Sequence, residues 1–188
     1  MQRLARVLTE VFSPTVVVSV FLLTTGAVSD GWRGFGFAML AALFTAVGPF
    51  AGILLATRLG KVSDHHIGNR RQRLPVLLAA MVSGVLGLVI LLLLGAPRVC
   101  IVGLLSVIFG MVLVGAVNTF WKLSVHVSVV TFAAVASVLT LGAGFLPARL
   151  IPAAVGWSRV KLGDHTTARV LAGIPAGCIV AVAYAGFL

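Results

Sequence analysis

The residues best suited to chemistry fall in three short segments of the chain. All four histidines and two of the four acids lie there. The segments are residues 58–73 (RLGKVSDHHIGNRRQR), 121–126 (WKLSVH) and 157–165 (WSRVKLGDH). Arginine presents a planar fork of donors that suits phosphate oxygens, and histidine can serve as nucleophile, acid or base near neutral pH. Many cations, several imidazoles and few carboxylates predict a site that binds an anion and acts on it.

A metal ion fits this composition less well. Magnesium sites need carboxylates, and the three segments supply Asp64 and Asp164. A zinc site needs three or four ligands. The histidines could supply them in number, but the neighbouring cations would repel a divalent ion. We therefore expect neither a metal nor another cofactor.

The rest of the chain is suited to lipid rather than to water. Of its 188 residues, 60% are apolar and 10% are charged, whereas a soluble domain is about half apolar and a quarter charged. A soluble enzyme is thereby excluded. The net charge of +10 does not indicate nucleic-acid binding, because the basic residues sit in short gaps between apolar runs, as in membrane proteins. The expected partners are the bilayer and a substrate carried in it, with no nucleic acid and with the oligomeric state left open.

Six stretches without a charged residue are long enough, or nearly so, for a helix to cross a bilayer, which takes about 20 residues. They are residues 11–29, 34–57, 74–97, 99–121, 123–148 and 170–188. Their polarity does not alternate as it does in membrane strands, and helices satisfy the backbone in lipid. We predict an all-α fold with one integral membrane domain over residues 1–188. It is a polytopic bundle of six transmembrane helices plus a short extra helical segment at 150–158.

Residues 1–13 are predicted to form an interfacial helix. Their apolar residues share one helical face, whereas Arg3, Arg6 and Glu10 point elsewhere. This pattern is typical of a helix that lies on a membrane surface. Pro14 is expected to break the helix before the first span. A frayed cytoplasmic tail is the alternative.

The three polar segments are expected to reach one face of the membrane. Two spans separate the first segment from the second, so the chain returns to the same side. Between the second and third segments, two helices of about 15 residues, each about 22 Å long, would form a hairpin inside the bundle. The alternative is one long span over residues 127–158, which puts the third segment on the opposite face. Most basic residues fall on the shared side, which the positive-inside rule makes cytoplasmic in a multi-pass protein of the cell membrane.

Three motifs in these segments resemble the signatures of the phosphatidic acid phosphatase type 2 superfamily. Ser158, Arg159 and His165 match its S-R-x5-H signature. Residues 124–126 (SVH) look like its P-S-G-H signature, and residues 73–75 (RLP) resemble the R-P end of its K-x6-R-P signature. The order and the approximate spacing of the three motifs agree with the family. The resemblance extends from about residue 61 to the C-terminus.

The resemblance implies a metal-independent phosphatase that acts on lipid phosphates. His165 would attack phosphorus and form a phosphohistidine, and His126 would protonate the leaving oxygen. The phosphoryl oxygens would be bound by Arg73, Arg159 and Ser124. Fixed cations and donors of this kind stabilise the charge that spreads over these oxygens in the transition state. Candidate substrates are a polyprenyl phosphate or diphosphate, phosphatidate and phosphatidylglycerophosphate, with a prenyl-type lipid favoured.

The first two motifs depart from the family pattern. His66 stands seven residues before Arg73, where the family has lysine. We assign His66 to phosphate binding and expect Lys122 or Lys61 to supply the missing cation. The proline and glycine of the second motif are replaced by Leu123 and Val125.

The third motif lacks the acid that many members carry four residues after the nucleophile, because Arg169 stands there. That acid orients and charge-stabilises the imidazole. Asp64 or Asp164 could replace it. We favour Asp64 as the catalytic acid, because adjacent residues on a helix, such as Asp164 and His165, do not face each other.

Two other functions compete with the phosphatase. A non-catalytic lipid-phosphate binder or transporter on a degenerate version of the fold is suggested by the altered motifs, and it predicts that His165→Ala leaves function intact. An intramembrane prenyltransferase would need aspartate-rich magnesium motifs, which this sequence lacks.

Overall fold

The computed structural model describes residues 1–59 and 70–188, with the backbone alone for residues 70–74, and every regular element in these ranges is a helix. The helices are α1 (Gln2–Val11), α2 (Pro14–Ala42), α3 (Gly48–Arg58), α4 (Arg70–Leu93), α5 (Arg98–Asn118), α6 (Val125–Leu141), α7 (Ile151–Lys161) and α8 (Thr167–Gly186). A π-helical turn (Leu43–Val47) joins α2 to α3, and a 3₁₀ segment (Ala143–Leu150) precedes α7. The all-α prediction is confirmed for this part of the chain.

Four elements of the described chain are long and apolar enough to cross a bilayer. They are Pro14–Arg58, Pro75–Leu93, Arg98–Asn118 and Thr167–Gly186. Helix α6 is apolar but has 17 residues, because the backbone leaves the helical conformation at Gly142, where φ is +100°. The expectation of membrane-crossing helices is therefore met by four elements, and six spans remain a prediction.

The 45-residue element Pro14–Arg58 is not one straight helix. Asp30 and Gly31 have non-helical backbone angles, and Gly31 has a φ of +54° that glycine adopts without steric cost. The chain folds back beyond this turn, since a Cβ placed on Gly26 would lie 2.6 Å from the carbonyl oxygen of Gly34. The stretches predicted as the first two spans therefore lie on the two sides of one turn.

The described chain forms two compact units. The first comprises residues 1–21 and 109–188, and the second comprises residues 22–108. In the second unit, α4 packs against the π-helical turn, and Ser83 Oγ donates a 2.7 Å hydrogen bond to the carbonyl oxygen of Phe44. The single domain expected over residues 1–188 stays a prediction.

In the first unit, α6 and α8 approach each other very closely. Gly173 and Gly177 lie about one turn apart on α8. A Cβ on Gly173 would lie 2.9 Å from the carbonyl oxygen of Ser124, and a Cβ on Gly177 would lie 2.7 Å from the Cβ of Thr131. Small residues at this spacing let membrane helices pack with their backbones in contact.

Two apolar clusters fix the helices of the first unit against one another. One is aromatic, with ring centroids 4.8, 5.2 and 6.1 Å apart in edge-to-face pairs, and consists of Phe21, Phe132 and Tyr184. The other is aliphatic and consists of Val127, Val130, Val155 and Val170. Because these residues come from α2, α6, α7 and α8, the clusters also fix the polar segments at the ends of those helices.

Helix α1 has the extent predicted for residues 1–13, and α2 begins at Pro14. It packs on α7, with Ala5 and Thr9 buried. Leu4, Val7 and Val11 remain more than half exposed. Within the described residues these side chains of α1 are therefore uncovered, and the placement of α1 on a membrane surface stays a prediction.

Candidate functional site

Two of the three polar segments meet in the first unit. Lys122 Nζ donates to the carbonyl oxygen of Asp164 at 3.4 Å, and the backbone N–H of Ser124 donates to the carbonyl oxygen of Arg169 at 3.0 Å. Helix α6 leads away from this place, the chain turns at Gly142, and α7 returns alongside α6. The hairpin expected between the two segments is therefore present, and the alternative of one long span is wrong.

The link between α7 and α8 is shaped by a helix end that terminates in glycine. Gly163 has a φ of +77°. Its N–H donates to the carbonyl oxygen of Val160 at 3.0 Å, and the N–H of Asp164 donates to that of Arg159 at 3.1 Å. These two bonds form a Schellman motif, which needs a left-handed residue at its centre. The turn carries Asp164 back over the last turn of α7, so that Asp164 and His165 are not neighbours on a helix.

Arg159 is a buried arginine in the last turn of α7, with 8% of its surface exposed. Its Nη1 donates to Oδ2 of Asp164 at 3.1 Å. Its Nε is buried and has no hydrogen-bond partner within the described ranges. Burial lowers the pKa of Arg159, and the carboxylates of Asp164 and Glu10 oppose that effect. The guanidinium stays charged. Asp164 holds its Nη1, and its Nε has no partner in the described part of the chain.

His165 lies half-buried in the link beside this guanidinium. Burial, followed by the charges of Arg159 and Lys122, lowers its pKa to about 4 from an ordinary value of 6.5. A hydrogen bond to the Lys122 backbone and the charge of Asp164 act in the opposite direction. The ring is therefore neutral at pH 7. Its Nδ1 is buried and has no hydrogen-bond partner in the described part of the chain, so this nitrogen can offer a lone pair.

Ser124 and His126 lie at the start of α6. Ser124 is fully buried, and its Oγ accepts a hydrogen bond of 3.5 Å from the N–H of Val127, which caps the helix. His126 is 8% exposed and lies in the first turn. The N-terminus of a helix carries partial positive charge, so this end of α6 favours an anion. The phosphate contact assigned to Ser124 stays a prediction beside its capping role.

Ser158, the first residue of the third motif, is fully buried and faces α1. Its hydroxyl donates to the carbonyl oxygen of Val155 at 2.7 Å. Its Oγ lies 3.1 Å from Oγ1 of Thr9. Because the single hydroxyl proton of Ser158 is used toward Val155, Thr9 is the donor in the second bond. Ser158 thus fixes α7 against α1.

The structure does not test the predicted first motif. Asp64 and His66 lie outside the described residues, so their assigned roles stay predictions. Arg73 lies in the first turn of α4, within the backbone-only range. The cluster that the structure brings together directly consists of Lys122, Arg159, Asp164 and His165.

From the sequence alone, Asp64 is favoured over Asp164 as the catalytic acid, and no residue of α1 is assigned to the site. The glycine after the last turn of α7 is a signal for a helix end, and it would have removed the objection to Asp164. No local pattern predicts the bond between Thr9 and Ser158, because 149 positions separate them.

Comparisons with known proteins were made for the whole chain. No protein-family profile, curated protein or solved structure matches it. Within the described residues, no three side chains of histidine, cysteine, aspartate or glutamate are grouped closely enough to hold a metal ion. The function is therefore inferred from the chemistry of the cluster itself.

Proposed function

We propose that this protein is a membrane-embedded, metal-independent phosphohydrolase of lipid phosphates and a divergent member of the phosphatidic acid phosphatase type 2 superfamily. The observation that carries the proposal is that two neighbouring side chains each have a nitrogen without a hydrogen-bond partner. A buried guanidinium, Arg159, has an unpartnered Nε among the described residues, and beside it the neutral His165 has an unpartnered Nδ1. An anion-binding donor next to an imidazole lone pair is what nucleophilic attack on a phosphate ester needs.

The proposed reaction has two steps. In the first, the lone pair of His165 forms a bond to phosphorus while the bond from phosphorus to the ester oxygen breaks. His126 gives a proton to that leaving oxygen. In the second, His126 takes a proton from water as the water oxygen attacks phosphorus, and the phosphorus–nitrogen bond breaks to release inorganic phosphate. Arg159 and Lys122 hold the phosphoryl oxygens in both steps, with Arg73, His66 and Ser124 as further predicted ligands.

Asp164 takes a supporting role in this proposal. Its carboxylate holds Nη1 of Arg159 and its charge favours the imidazolium form of His165. It thereby stabilises the positive charge that develops on the ring as the nucleophile reacts. The role of catalytic acid assigned to Asp64 stays a prediction.

The substrate class follows from the surroundings of the cluster. Four described elements are long and apolar enough to cross a bilayer, and the apolar face of α1 is uncovered. A lipid phosphate could keep its tails in the bilayer while its head group meets the cations. We favour a polyprenyl phosphate or diphosphate over phosphatidate-type lipids as the substrate. Six spans and a cytoplasmic site belong to this proposal.

Phosphate release from a panel of lipid phosphates tests the proposal. Wild type, His165→Ala and the control Asp30→Asn would be purified in detergent and assayed with and without EDTA. We expect release by wild type and by the control, and none above background by His165→Ala. Equal release by His165→Ala, or release that stops when EDTA is added, would contradict a metal-independent histidine phosphatase.

A non-catalytic lipid-phosphate binder is the second candidate, and two observations favour it. The Asp164 carboxylate forms its ion pair with Arg159 rather than with the His165 ring, and Arg169 occupies the position of the family's orienting acid. A binder would retain lipid phosphate after His165→Ala. The phosphatase would lose turnover in that variant while still binding its substrate through Arg159.

A further inference from the structure

We propose that helix α1 is a working part of the anion site, in which Thr9 anchors the end of α7 and Glu10 positions the Arg159 guanidinium. The effect of α1 on substrate binding rests on the function proposed above. The family resemblance begins near residue 61, so α1 lies outside every motif that suggested the site. Glu10 and Thr9 are positioning residues here, because they act through Arg159 and Ser158.

The anchor is a buried hydrogen bond between distant parts of the chain. Thr9 is 3% exposed and Ser158 is fully buried. Thr9 Oγ1 donates to Ser158 Oγ at 3.1 Å, and the Ser158 hydroxyl donates a hydrogen bond to the carbonyl oxygen of Val155. A buried hydroxyl pair left half-satisfied is costly, so this chain of two bonds fixes the register between α1 and α7.

That register sets the next residue on each helix. Glu10 follows Thr9 and Arg159 follows Ser158, so the bond from Thr9 to Ser158 brings this part of α1 to the turn of α7 that carries Arg159. The charge of Glu10 also opposes the lowering of the Arg159 pKa by burial. Asp164 holds the same guanidinium from the link after α7, through Nη1. Asp164 therefore pairs with the buried cation directly, and Glu10 lies on the helix that packs against α7.

Holding a guanidinium on one side aims its other side, because its donors form a rigid planar fork. With Asp164 at Nη1 and Glu10 nearby, the buried Nε of Arg159 is left without a partner among residues 1–59 and 75–188. An unsatisfied buried donor is costly unless a ligand fills it. The contacts from α1 therefore keep Nε directed toward the place that a phosphoryl oxygen would take.

Two substitutions in α1 test the proposal, each with a matched control. Glu10→Gln removes one negative charge from an exposed residue, and Asp30→Asn removes the same charge from the exposed Asp30–Arg33 pair. Thr9→Val removes the anchoring hydroxyl, and Thr57→Val removes a hydroxyl that donates to Ile53 within its own helix. Circular dichroism in detergent would establish that all four variants keep their helical content.

The first readout needs no ligand. It is the rate at which the Arg159 Nε proton exchanges with water, measured by ¹⁵N NMR and assigned by its loss in Arg159→Lys. We expect Glu10→Gln and Thr9→Val each to raise this rate about tenfold, which corresponds to the loss of one hydrogen bond or charge contact, and the two controls to leave it unchanged. Unchanged exchange in both α1 variants would overturn the proposal.

The second readout is the dissociation constant of orthovanadate, measured by titration calorimetry with EDTA present. We expect about tenfold weaker binding in the two α1 variants and wild-type binding in the controls. If wild type binds vanadate and the α1 variants bind it equally well, the role of α1 is wrong and the phosphatase stands. If wild type binds no vanadate while the exchange rates change as expected, the phosphatase is wrong and α1 still positions Arg159.

Discussion

The two units each contain an arginine–aspartate pair, and the two pairs differ in their surroundings rather than in their geometry. In the second unit, Arg33 Nη1 lies 3.2 Å from Asp30 Oδ2, with the side chains 63% and 38% exposed. In the first unit, Arg159 Nη1 lies 3.1 Å from Asp164 Oδ2, with exposures of 9% and 42%. An exposed pair contributes roughly 0–1 kcal/mol, whereas a buried arginine depends strongly on its partners. The contact distances alone would not distinguish the energetic importance of the two pairs.

The remaining donors of the two arginines make the same distinction. Arg33 also donates from Nη2 to the carbonyl oxygen of Gly95 at 3.1 Å and lies 5.7 Å from the centre of the Phe37 ring. These contacts join the part of α2 that follows the turn at Gly31 to the end of α4. Arg159 keeps a buried Nε without a partner in the described chain. All the contacts of Arg33 serve the fold, whereas Arg159 retains one unpartnered donor, which we propose binds the substrate.

Replacing each arginine by alanine should give the largest difference in activity between the two pairs. Arg159→Ala deletes the principal proposed phosphoryl ligand, and we expect kcat/KM for a lipid phosphate to fall by about 10²–10³ or more. Arg33→Ala should leave kcat/KM within about twofold, because its loss costs roughly 1 kcal/mol of exposed contacts. Phosphate release by the two variants in the same detergent measures the difference. Equal losses in both would remove the distinction drawn between the pairs.

The turns beside the two pairs should separate activity from stability. Gly163 precedes Asp164 and Gly31 follows Asp30, and both have positive φ with open space around the position of a Cβ. Alanine at either position should therefore cost about 1–2 kcal/mol of backbone strain. We expect Gly163→Ala also to lower kcat/KM about tenfold, because the Schellman turn positions Asp164, whereas Gly31→Ala should lower thermal stability alone. A fully active Gly163→Ala variant would show that this turn does not shape the site.

Neutralising the aspartates should give a smaller contrast. Asp164→Asn keeps the shape of the side chain and removes its charge, so Arg159 loses its ion pair. We expect KM to rise about fivefold to tenfold, as for a charge-assisted hydrogen bond, and kcat to change less. Restoring the charge in Asp164→Glu should recover part of the loss. Asp30→Asn should leave both constants unchanged, and an equal rise in KM there would point to net charge rather than to this pair.

The smallest expected effect concerns pH. The pKa of His165 is lowered to about 4 by burial, then by Arg159 and Lys122, so the neutral nucleophile persists until the pH falls through that value. The acidic limb of kcat/KM reports this pKa in the free enzyme. Lys122→Met removes one of the lowering charges, so its acidic limb should move upward toward 6.5. Lys161→Met, on the exposed end of α7, serves as the control, and a downward shift in Lys122→Met would contradict the assignment.

Much of the architecture could be predicted because lipid restricts the choices. Long uncharged stretches in a bilayer must be helical, and the hairpin that reunites residues 121–126 with 157–165 follows from helix lengths. The six-span count stays a prediction. Four described elements are long and apolar enough to cross a bilayer, α6 ends early at Gly142, and the first two predicted stretches are joined through the turn at Gly31. Both glycines act through a positive φ, which composition does not reveal.

The residue types of the candidate site could be predicted from the sequence, but the contacts between those residues could be predicted less well. Arg159, Lys122 and His165 follow from charge and spacing. The pairing of Asp164 with Arg159 depends on a helix end, and helix ends are harder to locate in a sequence than helices are. The contact between Thr9 and Ser158 depends on how α1 folds back onto α7, which no local pattern encodes.

The most direct test of the central claim is to trap the phosphoenzyme. Wild type, Asp30→Asn and His165→Ala would be mixed with a ³²P-labelled polyprenyl phosphate in EDTA and quenched on the millisecond scale. The account predicts protein-bound phosphate that is stable to base and labile to acid in wild type and in Asp30→Asn, and none in His165→Ala. Rapid hydrolysis by wild type without any bound label, or a label that persists in His165→Ala, would contradict it.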